Sequence, residues 1–89
     1  MTHAELLKSK EYWLTQIQCQ IYAEVEEYLE ANNMTKQDLA NKMGVDVRFI
    51  STTMNGNFNY KISHLVSLAL AMNKALVISF EDFPAEVQP

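Results

Sequence analysis

The sequence predicts a small, mainly α-helical protein, a bundle of four to five helices followed by one C-terminal β-strand. Apolar residues recur at steps of three and four through most of the chain, which is typical of helices with one buried face. Two glycines and two prolines among 89 residues are too few for a β fold with many turns. The length allows a single domain, and 48% apolar with 20% charged residues is typical of a globular protein.

The first long helix is predicted from about Glu11 to Asn32. Its apolar stripe consists of Trp13, Ile17, Ile21, Val25 and either Tyr28 or Leu29. Before it, residues 2–10 can form a separate turn of helix, because Thr2 and Glu5 have capping-box spacing. Ser9 is a candidate N-cap for the long helix. The sequence leaves open whether the chain breaks there.

Two short helices joined by a sharp turn are predicted in the stretch TKQDLANKMGVDVRFISTTMNG. Thr35 suits the N-cap of a helix over 36–43, and Asp46 suits the N-cap of a second helix over 47–54. Gly44 lies between them, where we expect a positive φ that only glycine adopts without strain. A further apolar helix is predicted from Ser63 to Met72.

The segment 75–80 is short and rich in β-branched residues, which predicts a strand. Nothing else in the chain resembles a partner strand, and a lone strand leaves its backbone groups unpaired. The simplest remedy is a second copy of the protein, with the strands pairing antiparallel across a two-fold axis. The strand residues proposed for this dimer are Leu76, Val77, Ile78, Ser79 and Phe80. The alternative is an extended tail that packs on the helices.

The predicted elements divide the single domain into parts, and the charge is distributed unevenly along the chain. An N-terminal helical segment (1–33) precedes the core (34–73), the strand (74–82) and a tail (83–89). The net charge is -4 for residues 1–30, +3 for 31–75 and -3 for the remainder, within a total of -4. The central block is therefore basic, and screening over about 10 Å at physiological salt allows it to act locally. The acidic total does not exclude a nucleic-acid partner.

The block from Met34 to Met72 resembles the Cro and phage-repressor helix-turn-helix family, also called Xre-type. The matching residues are Thr35, Leu39-Ala40, Met43-Gly44-Val45, Ile50, Asn55-Gly56 and the apolar run 62–70. Two positions depart from the family pattern. Lys36 stands where the family commonly has a glutamine that contacts the DNA backbone, and Thr53 stands where a larger apolar residue is usual.

The resemblance implies that the second helix of the motif lies in the major groove of double-stranded DNA. Carried over by position, the base-contacting residues are Val47, Arg48, Ser51 and Thr52. Arg48 is the one suited to a bidentate contact with guanine. The implied phosphate contacts are Lys36, Gln37, Asn55, Asn57 and Lys61.

The function that we expect is a sequence-specific DNA-binding transcriptional regulator, a homodimeric repressor acting on a near-palindromic operator. One alternative is the antitoxin of a toxin-antitoxin pair, which would bind its own promoter and a partner toxin. An adjacent reading frame for a small basic toxin would favour this alternative. Another is a protein-interaction module that does not bind DNA.

An enzyme is not expected, since no phosphate-binding glycine loop or nucleophile elbow occurs. We expect no cofactor and no metal site, because Cys19 is the only cysteine and no metal-ligand spacing is present. No apolar run approaches the roughly 20 residues that cross a bilayer, and the N-terminus lacks a signal-peptide core. The expected location is the cytoplasm, without membrane contact.

Overall fold

The computed structural model describes residues 2–56 and 60–87 and is mainly α-helical, as predicted. The described residues form five helices, namely α1 (His3–Leu7), α2 (Lys10–Ala31), α3 (Lys36–Met43), α4 (Val47–Met54) and α5 (Ile62–Ala71). No residue in the described ranges belongs to a β-strand. Among these residues no helix combines the length and the apolar character that a membrane crossing requires.

The chain breaks between α1 and α2, at the position that the sequence left open. Thr2 caps α1 by accepting a hydrogen bond from the backbone N–H of Glu5 at 3.1 Å, and Ser9 caps α2 by accepting one from Tyr12 at 3.3 Å. The indole Nε1 of Trp13 donates to the carbonyl oxygen of Leu7 at 2.7 Å. This contact holds the short helix against the beginning of the long one.

The core lies between the C-terminal half of α2 and the helices α3, α4 and α5. Val25, Leu39 and Ile50 are fully buried at its centre. The rest of the buried cluster is Tyr28, Leu29, Ala40, Met54, Leu68 and Met72. Burial of each large aliphatic side chain contributes roughly 1.5–3 kcal/mol relative to leaving it exposed. The packing of α4 on this core fixes which of its faces points outward.

Lys42 joins three helices at one corner of the bundle. Its Nζ donates to the hydroxyl of Tyr28 at 2.9 Å and to the carbonyl oxygen of Ala71 at 2.6 Å. A cation at the last carbonyls of α5 also interacts favourably with the helix dipole. The contact therefore holds α3 against both α2 and the end of α5.

The predicted C-terminal strand is absent from the described chain, and residues 73–84 have no regular secondary structure. No described backbone hydrogen bond involves residues 75–82. The physical reason is the one that makes a lone strand unfavourable, namely that strand pairing requires a partner. The alternative of a tail packed on the helices is met only further along the chain, because residues 73–82 are all exposed. Phe83 stacks on Trp13 with ring centroids 6.3 Å apart, and Val87 is buried.

Candidate nucleic-acid interface

The turn between α3 and α4 is built by local cap chemistry. Thr35 and Asp38 form a reciprocal capping box, with the hydroxyl accepting from the Asp38 N–H at 3.1 Å and the carboxylate accepting from the Thr35 N–H at 2.9 Å. Gly44 ends α3 with φ 71°, the left-handed conformation that was predicted. The N–H of Val45 then donates to the carbonyl oxygen of Ala40 at 3.0 Å. These contacts fix the orientation of α4 relative to α3.

The buried face of α4 consists of Ile50, Thr53 and Met54. Thr53 lies inside the fold although it is polar, because its hydroxyl donates to the carbonyl oxygen of Phe49 at 2.6 Å. A threonine in place of a larger apolar residue is thus accommodated by a hydrogen bond within the helix. The opposite face of α4 remains available to a partner.

Of the four predicted base-contacting residues, Arg48 and Thr52 lie on the side of α4 away from Ile50, Ser51 lies at its flank, and Val47 lies one turn before Ile50 on the same side. Arg48 and Thr52 are exposed, whereas Val47 and Ser51 are half-buried. Val47 packs partly against the core, so less of its side chain faces outward. The surface offered by α4 is therefore dominated by Arg48 and Thr52.

The predicted phosphate-contacting residues lie at the ends of three helices. Lys36 is half-buried and Gln37 exposed at the start of α3, Asn55 is exposed at the end of α4, and Lys61 is exposed before α5. The amide of Gln37 donates to the Asn41 side chain at 2.9 Å, which orients it along α3. Asn57 lies outside the described residues.

An ion pair orients Arg48 at the beginning of α4. Its Nε lies 3.1 Å from Oδ1 of Asp46, and 86% of the Arg48 side chain is accessible to solvent. The hydrogen bond from the guanidinium lowers the pKa of the Asp46 carboxyl, and the same contact raises the pKa of Arg48. Asp46 also accepts the backbone N–H of Arg48 at 2.8 Å, which makes it the N-cap of α4.

The end of α4 is held by a buried amide that the sequence analysis missed. Nε2 of Gln18 donates to the carbonyl oxygens of Thr53 at 3.0 Å and Met54 at 2.8 Å. The hydroxyl of Tyr60 is within hydrogen-bond distance of Oε1 of Gln18 and lies 2.8 Å from the Thr53 oxygen. Burial raises the pKa of Tyr60, and its bond to Gln18 opposes that change.

One feature of the sequence indicates that the Gln18 amide is buried. Gln18 precedes Val25 by seven positions and Leu29 by eleven, so all three lie on the same face of α2. A glutamine on an otherwise apolar face must find hydrogen-bond partners when it is buried. Its partners are the last carbonyls of α4, which have no acceptor role inside their own helix.

The C-terminal stretch 74–87, called the tail from here on, lies on the side of the molecule formed by α2 and α5. Residues 74–79 and Glu81 line a groove of about 980 Å³ together with residues of these two helices. Lys74 pairs with Glu24 of α2, which raises the pKa of the lysine. The exposure of Arg48 and Thr52 is thus retained with the tail in place.

Within the described ranges, no group of three or more histidine, cysteine, aspartate or glutamate residues is placed to hold a metal ion. The comparisons with known proteins give no relative, since no protein-family model, no curated protein and no solved structure matches this chain.

Proposed function

We propose that the chain is a sequence-specific DNA-binding regulator of the Cro and phage-repressor type, in which α4 enters the major groove. The observation that carries this proposal is the exposed side of α4, with Arg48 and Thr52 presented outward by a helix fixed at both ends. The beginning is fixed by the Asp46 cap and the end by the Gln18 amide. A rigid recognition helix reduces the conformational entropy lost on binding.

The charge of this part of the molecule supports the proposal. Helices α3 and α4 contain two acidic residues with their caps, Asp38 and Asp46, and both carboxylates accept hydrogen bonds within the motif. Lys36 and Lys61 lie at the beginnings of α3 and α5, where the positive end of a helix dipole also favours a phosphate. We expect contacts to roughly three to five phosphates per subunit, so affinity falls steeply with salt.

The test begins with selection of bound DNA from a random pool, followed by titration of the selected operator and of random DNA. Arg48→Ala is expected to reduce the preference for the operator, because base discrimination depends on the guanidinium. Lys36→Ala is expected to weaken both DNAs by a similar factor and to lower the salt slope by about one. Lys10→Ala is the matched control, since it removes the same charge from the exposed start of α2.

Equal losses on operator and random DNA from Arg48→Ala contradict its role in base recognition. Absence of any salt-dependent binding by the unmodified chain contradicts the whole proposal. The latter result favours a protein-interaction module that uses the same fold without DNA.

The proposal includes a homodimer in which residues 76–80 of one protomer pair with the same residues of the other. Two features support it. The backbone of residues 75–82 forms no described hydrogen bond, and the side chains of Val77 and Phe80 are 81% and 99% exposed. Antiparallel pairing of residues 76–80 across a two-fold axis would satisfy the backbone groups and cover these side chains. The extended tail would then become a strand only in the dimer.

Sedimentation measurements across a concentration series test the dimer. Val77→Lys is expected to shift the chain towards monomer and to weaken binding to a palindromic operator more than to one half-site. Ala85→Lys adds the same charge to an exposed position outside the pairing segment and is the control. An unmodified chain that stays monomeric throughout the concentration series contradicts tail pairing.

A further inference from the structure

The carboxylate of Asp46 is engaged by three donors, all from Arg48. Oδ1 accepts the backbone N–H at 2.8 Å and the side-chain Nε at 3.1 Å, while Oδ2 accepts from Nη2 at 3.4 Å. The backbone bond fixes the carboxylate relative to α4. The two side-chain bonds then fix the plane of the guanidinium relative to the carboxylate.

This geometry assigns a direction to the free donors of Arg48. A guanidinium has its N–H groups in a rigid fork, and the Nε–Nη2 edge is the one that faces Asp46. The edge between Nη1 and Nη2 remains free, and it carries two parallel N–H groups. Two parallel donors match the O6 and N7 acceptors of guanine in the major groove.

We infer that Asp46 is a positioning residue that holds Arg48 in the orientation required for guanine and thereby sets base specificity. The inference rests on the proposed function, because it concerns the same face of α4. Without the carboxylate, Arg48 can present either edge and can turn towards a phosphate, so it distinguishes bases less well. Asp46 touches no base in this arrangement and acts only through Arg48.

Removal of the Asp46 carboxylate changes two quantities, the affinity for random DNA and the discrimination between bases. The signs of these two changes distinguish a positioning role for Asp46 from a general contribution to binding. Asp46 places a negative charge on a surface that faces phosphates, so its removal is expected to raise affinity for random DNA. The same removal is expected to lower discrimination at the base that Arg48 contacts. A residue that merely stabilised the fold would weaken binding to both DNAs.

The experiment compares the unmodified chain with Asp46→Asn, Asp46→Ser, Arg48→Ala and the double variant D46N/R48A. Asparagine and serine both suit an N-cap, so α4 is expected to keep its beginning, which circular dichroism checks. The DNAs are the selected operator and the same operator with adenine replacing the guanine whose preference depends on Arg48. Binding is measured by fluorescence anisotropy at one fixed salt concentration.

We expect the unmodified chain to prefer guanine by about fivefold or more. The ratio of the affinities for the guanine and adenine operators falls towards unity in Arg48→Ala, and it falls at least by half in both Asp46 variants. In the Arg48→Ala background, Asp46→Asn changes the preference no further. Independent of DNA, the pKa of the Asp46 carboxyl measured by NMR is expected to rise towards its ordinary value of 3.8 in Arg48→Ala.

An unchanged guanine preference in folded Asp46 variants overturns the inference while leaving the proposed function in place. Equal weakening of both DNAs also overturns it. An unmodified chain that binds no DNA removes the proposed function together with the inference, and this outcome is visible before any variant is tested.

Discussion

Replacing Gln18 by methionine removes the amide that joins α2 to the end of α4 while keeping a side chain of similar length. The change deletes the two hydrogen bonds that Gln18 donates to the carbonyl oxygens of Thr53 and Met54, and the one that its Oε1 accepts from the Tyr60 hydroxyl. The Tyr60 hydroxyl has a single proton and keeps the Thr53 oxygen as its acceptor, so two hydrogen bonds are lost on balance. The Thr53 oxygen retains the hydroxyl of Tyr60 at 2.8 Å, so the Met54 oxygen is the one that loses its partner.

The size of the effect follows from this count. Two net hydrogen bonds contribute about 1 kcal/mol each, and a buried carbonyl without a partner costs about 1–3 kcal/mol. Part of this loss is offset by the apolar contacts of methionine, so we expect the free energy of unfolding to fall by about 2–4 kcal/mol. For a domain of this size that corresponds to a decrease in Tm of roughly 10–25 °C.

Thermal unfolding followed by circular dichroism measures the change. Gln16→Met is the matched control, because Gln16 is an exposed glutamine of the same helix, and we expect it to alter stability by about 0.5 kcal/mol or less. Tyr60→Phe removes the hydroxyl that shares the Thr53 oxygen with Gln18. The loss of unfolding free energy in the double variant Q18M/Y60F is therefore expected to differ from the sum of the losses in the two single variants.

Equal Tm values for Gln18→Met and Gln16→Met, within the roughly 2–4 °C produced by a 0.5 kcal/mol change, would refute a stabilising role for the Gln18 amide. Strict additivity of the Gln18 and Tyr60 substitutions would refute the shared network separately. The first result would mean that solvent replaces the amide at the end of α4, and the second that Gln18 and Tyr60 contribute independently.

Two further predictions concern the turn and the cap of the motif. Gly44 has φ 71° and open space where a Cβ would lie. Gly44→Ala is therefore expected to lower the free energy of unfolding only by the cost of the left-handed backbone, about 1–2 kcal/mol, and Gly44→Asn by less. The order of the Tm values of the two variants checks this. The pKa of Asp46 is lowered in the folded chain, so its stabilisation is present above the ordinary value of 3.8 and is lost as the pH falls through the lowered pKa. The difference in Tm between the unmodified chain and Asp46→Ser should therefore disappear in that acidic range, and a difference that persists there contradicts the linkage.

The helix boundaries could be predicted because they depend on neighbouring residues in the chain. Thr35 and Asp46 satisfy backbone N–H groups two or three residues away, and Gly44 adopts its conformation through its own lack of a Cβ. Because each cap and its partner are separated by a fixed number of residues, such contacts can be recognised in the sequence. Helix α4 and the turn before it were accordingly predicted with correct bounds.

The burial of α2 could not be predicted in the same way. Its apolar stripe was identified, but Trp13 and Ile17 at the N-terminal end are 41% and 50% exposed, whereas Val25 is fully buried. The difference depends on which part of α2 the other helices pack against, and periodicity carries no such information. The partners of Gln18 lie 35 and 36 positions away, beyond any local spacing. The strand prediction at 75–80 has the same origin, because composition describes a preference for pairing and not the presence of a partner.

The proposed function, taken together with the distribution of charge, makes a further prediction about DNA binding. At physiological salt the screening length is about 8–10 Å, so Lys36 and Lys61 act without much influence from distant acidic residues. At about 0.01 M salt the screening length reaches about 30 Å, and the acidic N-terminal segment and tail then repel the same DNA. The plot of log affinity against log salt is therefore expected to flatten at low salt.

Neutralising the exposed Glu81 and Asp82 by Glu81→Gln and Asp82→Asn tests this argument. The double variant should bind more tightly than the unmodified chain at about 0.01 M salt, where screening is weak, and equally at about 0.15 M, where it is strong. An equal gain at both concentrations would mean that the tail lies close enough to the duplex for screening to be ineffective. In that case the acidic tail would belong to the DNA-binding surface itself, and its assignment to the face formed by α2 and α5 would hold only for the free protein.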